Sequence, residues 1–372
     1  MMLDTKPLGY ALRANYKEVF FLFFALVLLT NNLFFEIYRM AVFDAMPHDD
    51  YGYYLLYLIG DQGAGSTVPV PASHAYRFLA VWMAIPFYDL LPFFTFTGAS
   101  PELSENYLKS LMALSFVTYI SVMVTCVYAY LIARYRFGTS QMVALITLLF
   151  TYLICQHLRE GLYGVDAMGV MMMTLIVYYM QNKYLYFMLV ILAVFVNEKV
   201  AMVFFMLMAG RFVFYSEYRS KKYALYLLAP SIALALYAWV NIYFQLPGNG
   251  AHREYQHFLD QFITTLMFSF TLKGFILNII PVLLLVGFYL LANSATKTIS
   301  SNIYFKSSDI LPLLGLVMIT HLVNVDYNAG RIVMYVFPFY VPLATLGIYN
   351  LLSSNFAMQE SNKLHQPIKS IS

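Results

Sequence analysis

Residues 47–54, PHDDYGYY, place two adjacent carboxylates, Asp49 and Asp50, between His48 and Tyr53 in a chain that is otherwise strongly apolar. A carboxylate beside its substrate can act as a general base and deprotonate a hydroxyl group. Because successive residues of an extended chain face opposite sides, we expect only one of the two carboxylates to enter a site, and we favour Asp50. The alternative interpretation is a loop exposed to solvent.

Further charged residues lie at the ends of apolar runs, where ionised groups are costly unless they face a cavity or each other. They are Arg77 in 75–97, Arg159, Glu160 and Asp166 in 157–169, Glu198 and Lys199 in 196–201, Arg253 in 245–262, and Asp326 and Arg331 in 321–340. A purely structural ion pair is the alternative for Glu198 with Lys199 and for Asp326 with Arg331. No spacing of His or Cys indicates a zinc site.

The composition defines the class of protein. The chain of 372 residues is 61% hydrophobic and only 11% charged, and no soluble domain of this length buries so much apolar surface. Runs of about 18 or more apolar residues, long enough to cross the hydrocarbon core of a bilayer, recur along its length. The sequence therefore predicts an all-α, polytopic integral membrane protein, and its net charge of +3 gives no indication of nucleic-acid binding.

About ten transmembrane helices are predicted, and residues 1–372 are expected to form a single transmembrane domain. The predicted spans are 18–37, 107–133, 139–157, 167–181, 184–197, 199–216, 223–243, 271–293, 309–325 and 331–352. The apolar segment 75–97 is not among them. Its two prolines and two charged residues make a poor span but suit an amphipathic helix that lies in the interface.

The distribution of charge predicts the orientation. With 75–97 on the outer side, 14 of the 22 Lys and Arg residues fall on the side of the N-terminus. Because short basic loops stay in the cytoplasm, we expect both termini to be cytoplasmic. Residues 38–106 then form a long first outer loop, which carries the acid pair and the interfacial helix.

This arrangement resembles the GT-C superfamily of membrane glycosyltransferases, which includes the protein O-mannosyltransferases and the aminoarabinose transferases. The resemblance rests on HDDYGYY, on PASHAYRFLAVWMAIPF at 71–87 and on the polar ends of later spans. It covers nearly the whole chain as an architecture. It implies an enzyme of the inner cell membrane with an extracytoplasmic active site, in which Asp49 or Asp50 is the catalytic residue.

The resemblance also implies the substrates: a polyprenyl-phosphate-linked sugar as donor and a glycan, lipid or protein hydroxyl as acceptor. Cations at outer span ends would hold the donor phosphate, and apolar grooves between helices would hold its tail. The candidate phosphate-binding residues are Arg331, Lys199, Arg159, Arg253 and Arg77. The candidate supporting residues are His48, Glu198, Glu160, Asp166, Asp326 and Tyr53. No cofactor is assigned, and a divalent cation, Mg²⁺ or Mn²⁺, is the one candidate.

Two other classes of membrane protein compete with this interpretation. A polysaccharide polymerase or ligase of the O-antigen type would also act outside on lipid-linked glycans, with 245–262 as the loop that carries its Arg and His residues. A transporter or flippase would carry charges near the middle of its spans and often shows repeated halves. The charges here lie at outer span ends, which favours an enzyme.

Overall fold

The computed structural model describes residues 16, 18–20, 22–24, 26–27, 30, 50–60, 77–90, 104–157, 165–243, 258–296, 304–323, 333 and 335–364. Every regular element in these residues is helical. The helices are α1 (Asp50–Leu58), α2 (Phe78–Trp82), α3 (Ile85–Asp89), α4 (Glu105–Leu131), α5 (Gln141–His157), α6 (Val165–Tyr179), α7 (Lys183–Val194), α8 (Glu198–Phe214), α9 (Lys221–Tyr243), α10 (Phe258–Ser269), α11 (Leu272–Gly274), α12 (Ile280–Thr296), α13 (Ile310–Val323) and α14 (Phe337–Leu364). Two π-helical turns, Ile132–Arg136 and Phe275–Ile279, and one 3₁₀ turn, Ser216–Arg219, join some of them.

Within the described residues, three helical stretches are long and apolar enough to cross a membrane: Glu105–Arg136, Tyr223–Val240 and Leu272–Ala295. Shorter apolar helices cover Phe78–Asp89, Gln141–Cys155, Val165–Tyr179 and Lys183–Val194. The prediction of an all-helical fold is therefore confirmed for the described residues, and the three long apolar helices support the membrane class. The count of about ten spans stays a prediction.

Helix α4 forms the centre of the bundle and is buried along most of its length. It begins at Glu105, where the Ser104 hydroxyl accepts a hydrogen bond from the backbone N–H of Tyr107 at 3.3 Å and caps the helix. Inside the helix, Thr118 and Thr125 donate their hydroxyls to carbonyls one turn earlier. These two buried hydroxyls thus satisfy their hydrogen bonds within the helix itself.

The bundle has two ends, which we name by residues of α8. The Glu198 end contains the first residues of α6 and α8 and the residues just before α14. The Arg211 end contains the last residues of α4 and α6 and the first residues of α13. Tyr128 in α4 and Tyr179 in α6 meet near the Arg211 end, with 3.2 Å between their hydroxyl oxygens.

The helices between these ends differ in length. Helices α6 and α7 contain 15 and 12 residues, so they are about 22 and 18 Å long, short of the roughly 30 Å of a hydrocarbon core. Helix α4 contains 27 residues and extends well beyond α6 at the Glu198 end. Helix α1 packs against this extension near Tyr107 and Leu111, and Phe87 of α3 stacks at its base, 5.4 Å from Phe116 between ring centres. At the Glu198 end, the first turns of α4 therefore project beyond the first residues of α6 and α8.

Candidate functional site

Four of the residues singled out from the sequence have described side chains: Arg77, Asp166, Glu198 and Lys199. They come from distant parts of the chain, and the structure brings them together at the Glu198 end. Two groups of contacts join them. One is an ion pair, and the other is a buried network of hydrogen bonds.

The ion pair joins Arg77, just before α2, to Glu198, the first residue of α8. The Arg77 Nη2 atom lies 2.7 Å from Glu198 Oε1, and Nε lies 3.1 Å from Oε2, which is the two-pronged geometry of a strong arginine–carboxylate pair. The two side chains are only 13% and 11% exposed. Two residues further on, the backbone N–H of Leu79 donates to the Phe195 carbonyl at 3.0 Å. The segment that begins at Arg77 is thus fastened to the junction of α7 and α8.

The hydrogen-bond network joins Asp166, Asn197 and Tyr335, all of which are buried. The Tyr335 hydroxyl donates to Asp166 Oδ1 at 2.5 Å, and the Asn197 amide nitrogen donates to the same oxygen at 2.9 Å. The same amide nitrogen also lies 2.8 Å from the Tyr335 oxygen. The first turn of α6, the N-cap of α8 and the residues just before α14 therefore meet at one carboxylate.

Asn197 also explains why the stretch VNEKVA needs no glycine or proline between two helices. Its backbone is extended, with φ −162° and ψ 122°, and its side-chain oxygen accepts a hydrogen bond from the backbone N–H of Lys199 at 3.1 Å. Asn197 is thus the N-cap of α8. Its amide caps the helix with one atom and binds Asp166 and Tyr335 with the other.

The close approach of Tyr335 to α6 depends on Gly169. A Cβ atom at this position would lie 2.6 Å from Cε1 of Tyr335 and 3.0 Å from its hydroxyl oxygen. The glycine therefore provides the space in which the phenol reaches Asp166. Sequence analysis named neither Gly169 nor Tyr335 as a functional residue, since a glycine in a helix and a tyrosine in an aromatic-rich run carry no signal of their own.

Two short helices cross the Glu198 end from Arg77 toward α4. Phe116 precedes Tyr128 by twelve residues and Asp166 precedes Tyr179 by thirteen, so both lie about 18–20 Å from the Tyr128–Tyr179 contact. Arg77 and Phe87 therefore contact the bundle at nearly the same position along its axis. Ala80, Val81 and Ala84 of this segment are fully buried, whereas Trp82 is 61% exposed.

An apolar cavity of about 20 Å³ lies below the hydrogen-bond network. Val170 and Thr174, one and two turns along α6 from Asp166, line it together with Phe337 and Pro338, which follow Tyr335. The remaining lining comes from α4, α5 and α14: Thr125, Ala129, Thr151, Ile154, Cys155, Val341 and Pro342. A volume of this size has room for about one water molecule, so it is a gap in the packing and not a substrate pocket.

The other predicted site residues lie outside the described side chains. Asp50 is the first residue of α1, and only its backbone and that of Tyr53 are described. Asp50 therefore begins a helix. The expectation that only one of the two carboxylates faces the site assumed the alternation of an extended chain, and that alternation does not apply to a helical residue. His48, Asp49, Arg159, Glu160, Arg253, Asp326 and Arg331 lie outside the described residues altogether.

A divalent cation has no ready position among the described residues. In that part of the chain, no group of three or more His, Cys, Asp or Glu side chains is arranged to hold a metal ion. Asp166 and Glu198 each bind protein donors instead. The divalent cation stays a prediction.

The Arg211 end has a second ion pair that sequence analysis missed. Arg211 lies inside α8, within the predicted span 199–216, and is fully buried. Its Nε and Nη2 atoms donate to Asp309 at 2.9 and 2.6 Å, and the backbone N–H of Lys306 donates to the same carboxylate at 2.9 Å. The Tyr218 ring covers the guanidinium at 5.7 Å, and burial raises the pKa of Tyr218 to about 12, so this phenol stays neutral.

The fold and composition define the class, an all-helical membrane protein with polar groups gathered at the two ends of its bundle. The chain matches no protein-family model, no curated protein and no solved structure.

Proposed function

We propose that this chain is a membrane glycosyltransferase of the GT-C type, which moves a sugar from a polyprenyl phosphate to a hydroxyl group on the outer side of the inner cell membrane. One observation carries the proposal: Arg77, Asp166, Glu198 and Lys199 converge at one end of the bundle. Each was named from the sequence as a candidate for donor binding or its support. Residues this far apart in the chain meet there although they share no local motif.

The orientation follows from charge. Arg134, Arg136, Lys183 and Arg219 belong to the Arg211 end, and basic loops are retained in the cytoplasm. The Glu198 end is then extracytoplasmic, and about ten spans with both termini in the cytoplasm agree with this assignment. Cysteine labelling tests it, because Cys126 and Cys155 are buried. We expect Ser66→Cys to label from outside and Ser220→Cys from inside, and labelling of both from one side would contradict the orientation.

The depth of the charged groups supports a lipid-linked substrate. If the starts of α7 and α9 lie at the cytoplasmic surface, the 12 residues of α7 place Asn197 about 10 Å below the outer edge of the hydrocarbon core. A soluble sugar nucleotide would approach from the water. A polyprenyl phosphate, in contrast, carries its charged group at the membrane surface and its tail within the bilayer, so it can reach a recessed cation from the side.

The reaction that this site would perform needs a base and a cation. A carboxylate, Asp50 or Asp49, removes the proton of the acceptor hydroxyl, and the resulting oxygen attacks the anomeric carbon. The bond from that carbon to the donor phosphate breaks, and polyprenyl phosphate leaves with the electron pair. A cation beside the phosphate stabilises the charge that develops on it.

We assign the phosphate to Lys199 among the described cations. Arg77 already makes a two-pronged bond with Glu198, and its position before α2 suits a structural link between the first outer loop and α8. Lys199 is half-buried in the first turn of α8, where backbone N–H groups and the helix dipole favour an anion. Arg159, Arg253 and Arg331 remain candidates that the same donor would meet from the outer loops.

The Arg211 end favours an enzyme over a transporter. A transporter must open toward both sides of the membrane, and the buried Arg211–Asp309 pair opposes any opening that parts α8 from the start of α13. Separation would leave two ions inside the protein at a high cost in free energy. A polymerase or ligase would use the same outer end and the same class of donor. Analysis of product length distinguishes it, since a transferase adds one sugar and a polymerase builds a ladder.

The transfer assay uses purified protein in liposomes that contain undecaprenyl-phosphate-linked hexoses and a membrane glycan extract as acceptor. We expect release of undecaprenyl phosphate together with transfer of labelled sugar. The double variant Asp49→Asn/Asp50→Asn should lose about 10²–10⁴ in rate, the usual contribution of a general base. Asp89→Asn is the matched control, because Asp89 is an exposed acid of the same outer loop. Transfer by the double variant at the rate of the control would contradict the proposal.

A further inference from the structure

The network around Asp166 contains a chain of contacts that ends at the proposed phosphate site. Gly169 gives Tyr335 its space, the Tyr335 hydroxyl binds Asp166, and the Asn197 amide nitrogen binds both. The side-chain oxygen of Asn197 in turn accepts from the backbone N–H of Lys199. A buried tyrosine just before α14 is thereby connected to the first turn of α8.

An asparagine amide can rotate so that its oxygen and nitrogen exchange places, and its neighbours decide which arrangement is stable. Here the carboxylate of Asp166 accepts and the N–H of Lys199 donates, so the nitrogen must face Asp166 and the oxygen must face α8. Tyr335 reinforces this arrangement, because it donates to Asp166 and lies within hydrogen-bonding distance of the Asn197 nitrogen.

We propose that Tyr335, seated by Gly169, is a positioning residue for donor binding, and that it acts by fixing the Asn197 amide and hence the first turn of α8 with Lys199. This inference rests on the proposed function only in naming a lipid phosphate as the ligand. Tyr335 is almost fully buried, so it acts through Asn197 and does not itself meet the donor.

Two substitutions test the inference in different ways. Tyr335→Phe removes the hydroxyl and keeps the ring, whereas Gly169→Ala keeps the hydroxyl and displaces it. We expect each to weaken binding of undecaprenyl phosphate to the protein in nanodiscs about tenfold, the loss of one hydrogen bond to a charged group. The double variant should bind no more weakly than Tyr335→Phe alone, because both changes remove the same contact.

Matched controls separate positioning from a general loss of stability. Gly315→Ala places a Cβ near only one atom, Met206 Cε at 3.9 Å, and Tyr349→Phe alters an exposed tyrosine. Both should bind like the wild type. The apparent KM for the donor should rise in the test variants while kcat changes little, and conservative replacement at the control positions should move neither.

Hydrogen exchange keeps the inference testable without any donor. Loss of the cap should speed exchange of the Lys199 amide in Tyr335→Phe and in Gly169→Ala, but not in the controls. Unchanged exchange in folded Tyr335→Phe would overturn the positioning role. Additive losses of affinity in the double variant would overturn it as well. Faster exchange in a protein whose wild type binds no undecaprenyl phosphate would instead support the positioning and contradict the proposed function.

Discussion

The two ends of the bundle each carry an arginine–carboxylate pair with two-pronged geometry, but the pairs differ in what surrounds them. Arg211 and Asp309 are 0% and 2% exposed and join two helices in the interior. Arg77 and Glu198 are 13% and 11% exposed and join a segment of the first predicted outer loop to the start of α8. The same kind of ion pair thus links helices at the Arg211 end. At the Glu198 end it attaches a segment of the predicted outer loop beside Lys199, a cation of the proposed site.

The difference shows why an ion pair alone does not identify a functional site. Ions buried on every side contribute to a single, specific arrangement of helices, and their removal leaves an uncompensated charge. At the Glu198 end, Lys199 lies next to the ion pair and is only half-buried. Accessibility and the surrounding network therefore separate the two ends better than charge does.

The largest effect is expected at the Arg211 end. Arg211→Met should lower the free energy of unfolding by about 3–5 kcal/mol, because it leaves the Asp309 carboxylate buried without its partner. Thermal unfolding in detergent micelles measures this loss. The double variant Arg211→Met/Asp309→Leu should recover much of the stability, and a single variant as stable as the wild type would contradict a structural role for this pair.

A smaller loss is expected at the Glu198 end. Glu198→Gln should cost about 1–3 kcal/mol, since it weakens the bond to Arg77 without leaving a charge in the deep interior. The segment 78–89 should also become more sensitive to protease in this variant, as it loses one of its attachments to α8. Equal losses for Glu198→Gln and Arg211→Met would remove the contrast between the two ends.

Affinity for undecaprenyl phosphate, unlike stability, should depend more on the Glu198 end than on the Arg211 end. Lys199→Ala should reduce affinity for undecaprenyl phosphate about tenfold with little change in thermal stability, because it removes one cation from the proposed phosphate site. Lys306→Ala is its counterpart at the Arg211 end and should leave this affinity unchanged. Loss of binding in Lys306→Ala alone would move the proposed site to the cytoplasmic side.

The smallest effect is expected for the stability of Lys306→Ala. Lys306 lies 2.6 Å from Glu217, whose side chain is 48% exposed. Water and salt screen such a pair, so its loss should change the free energy of unfolding by only about 0–1 kcal/mol. A larger loss, measured by thermal unfolding at high and low salt, would show that this pair belongs to the buried network around Arg211.

Composition and hydrophobic runs predicted the all-helical membrane class, because the cost of burying backbone in lipid leaves few alternatives. The sequence also marked the Glu198 end, since Glu198 and Lys199 between two apolar runs required a partner. It did not identify Arg77 as that partner, because the contact depends on how a distant loop folds back. The ion pair of Arg211 was missed for a related reason: its partner Asp309 lies 98 residues away, and a lone arginine near the end of a predicted span gives no signal of a buried partner.

Photo-crosslinking tests the central claim, that the Glu198 end binds a lipid phosphate and the Arg211 end is structural. The probe is undecaprenyl phosphate with a diazirine in the isoprene unit next to the phosphate, and mass spectrometry locates the labelled peptides. We expect labels in 77–90 and 195–201, competition by unmodified undecaprenyl phosphate, and loss of labelling in Lys199→Ala. Labels confined to 211–222 and 304–309 would contradict the account.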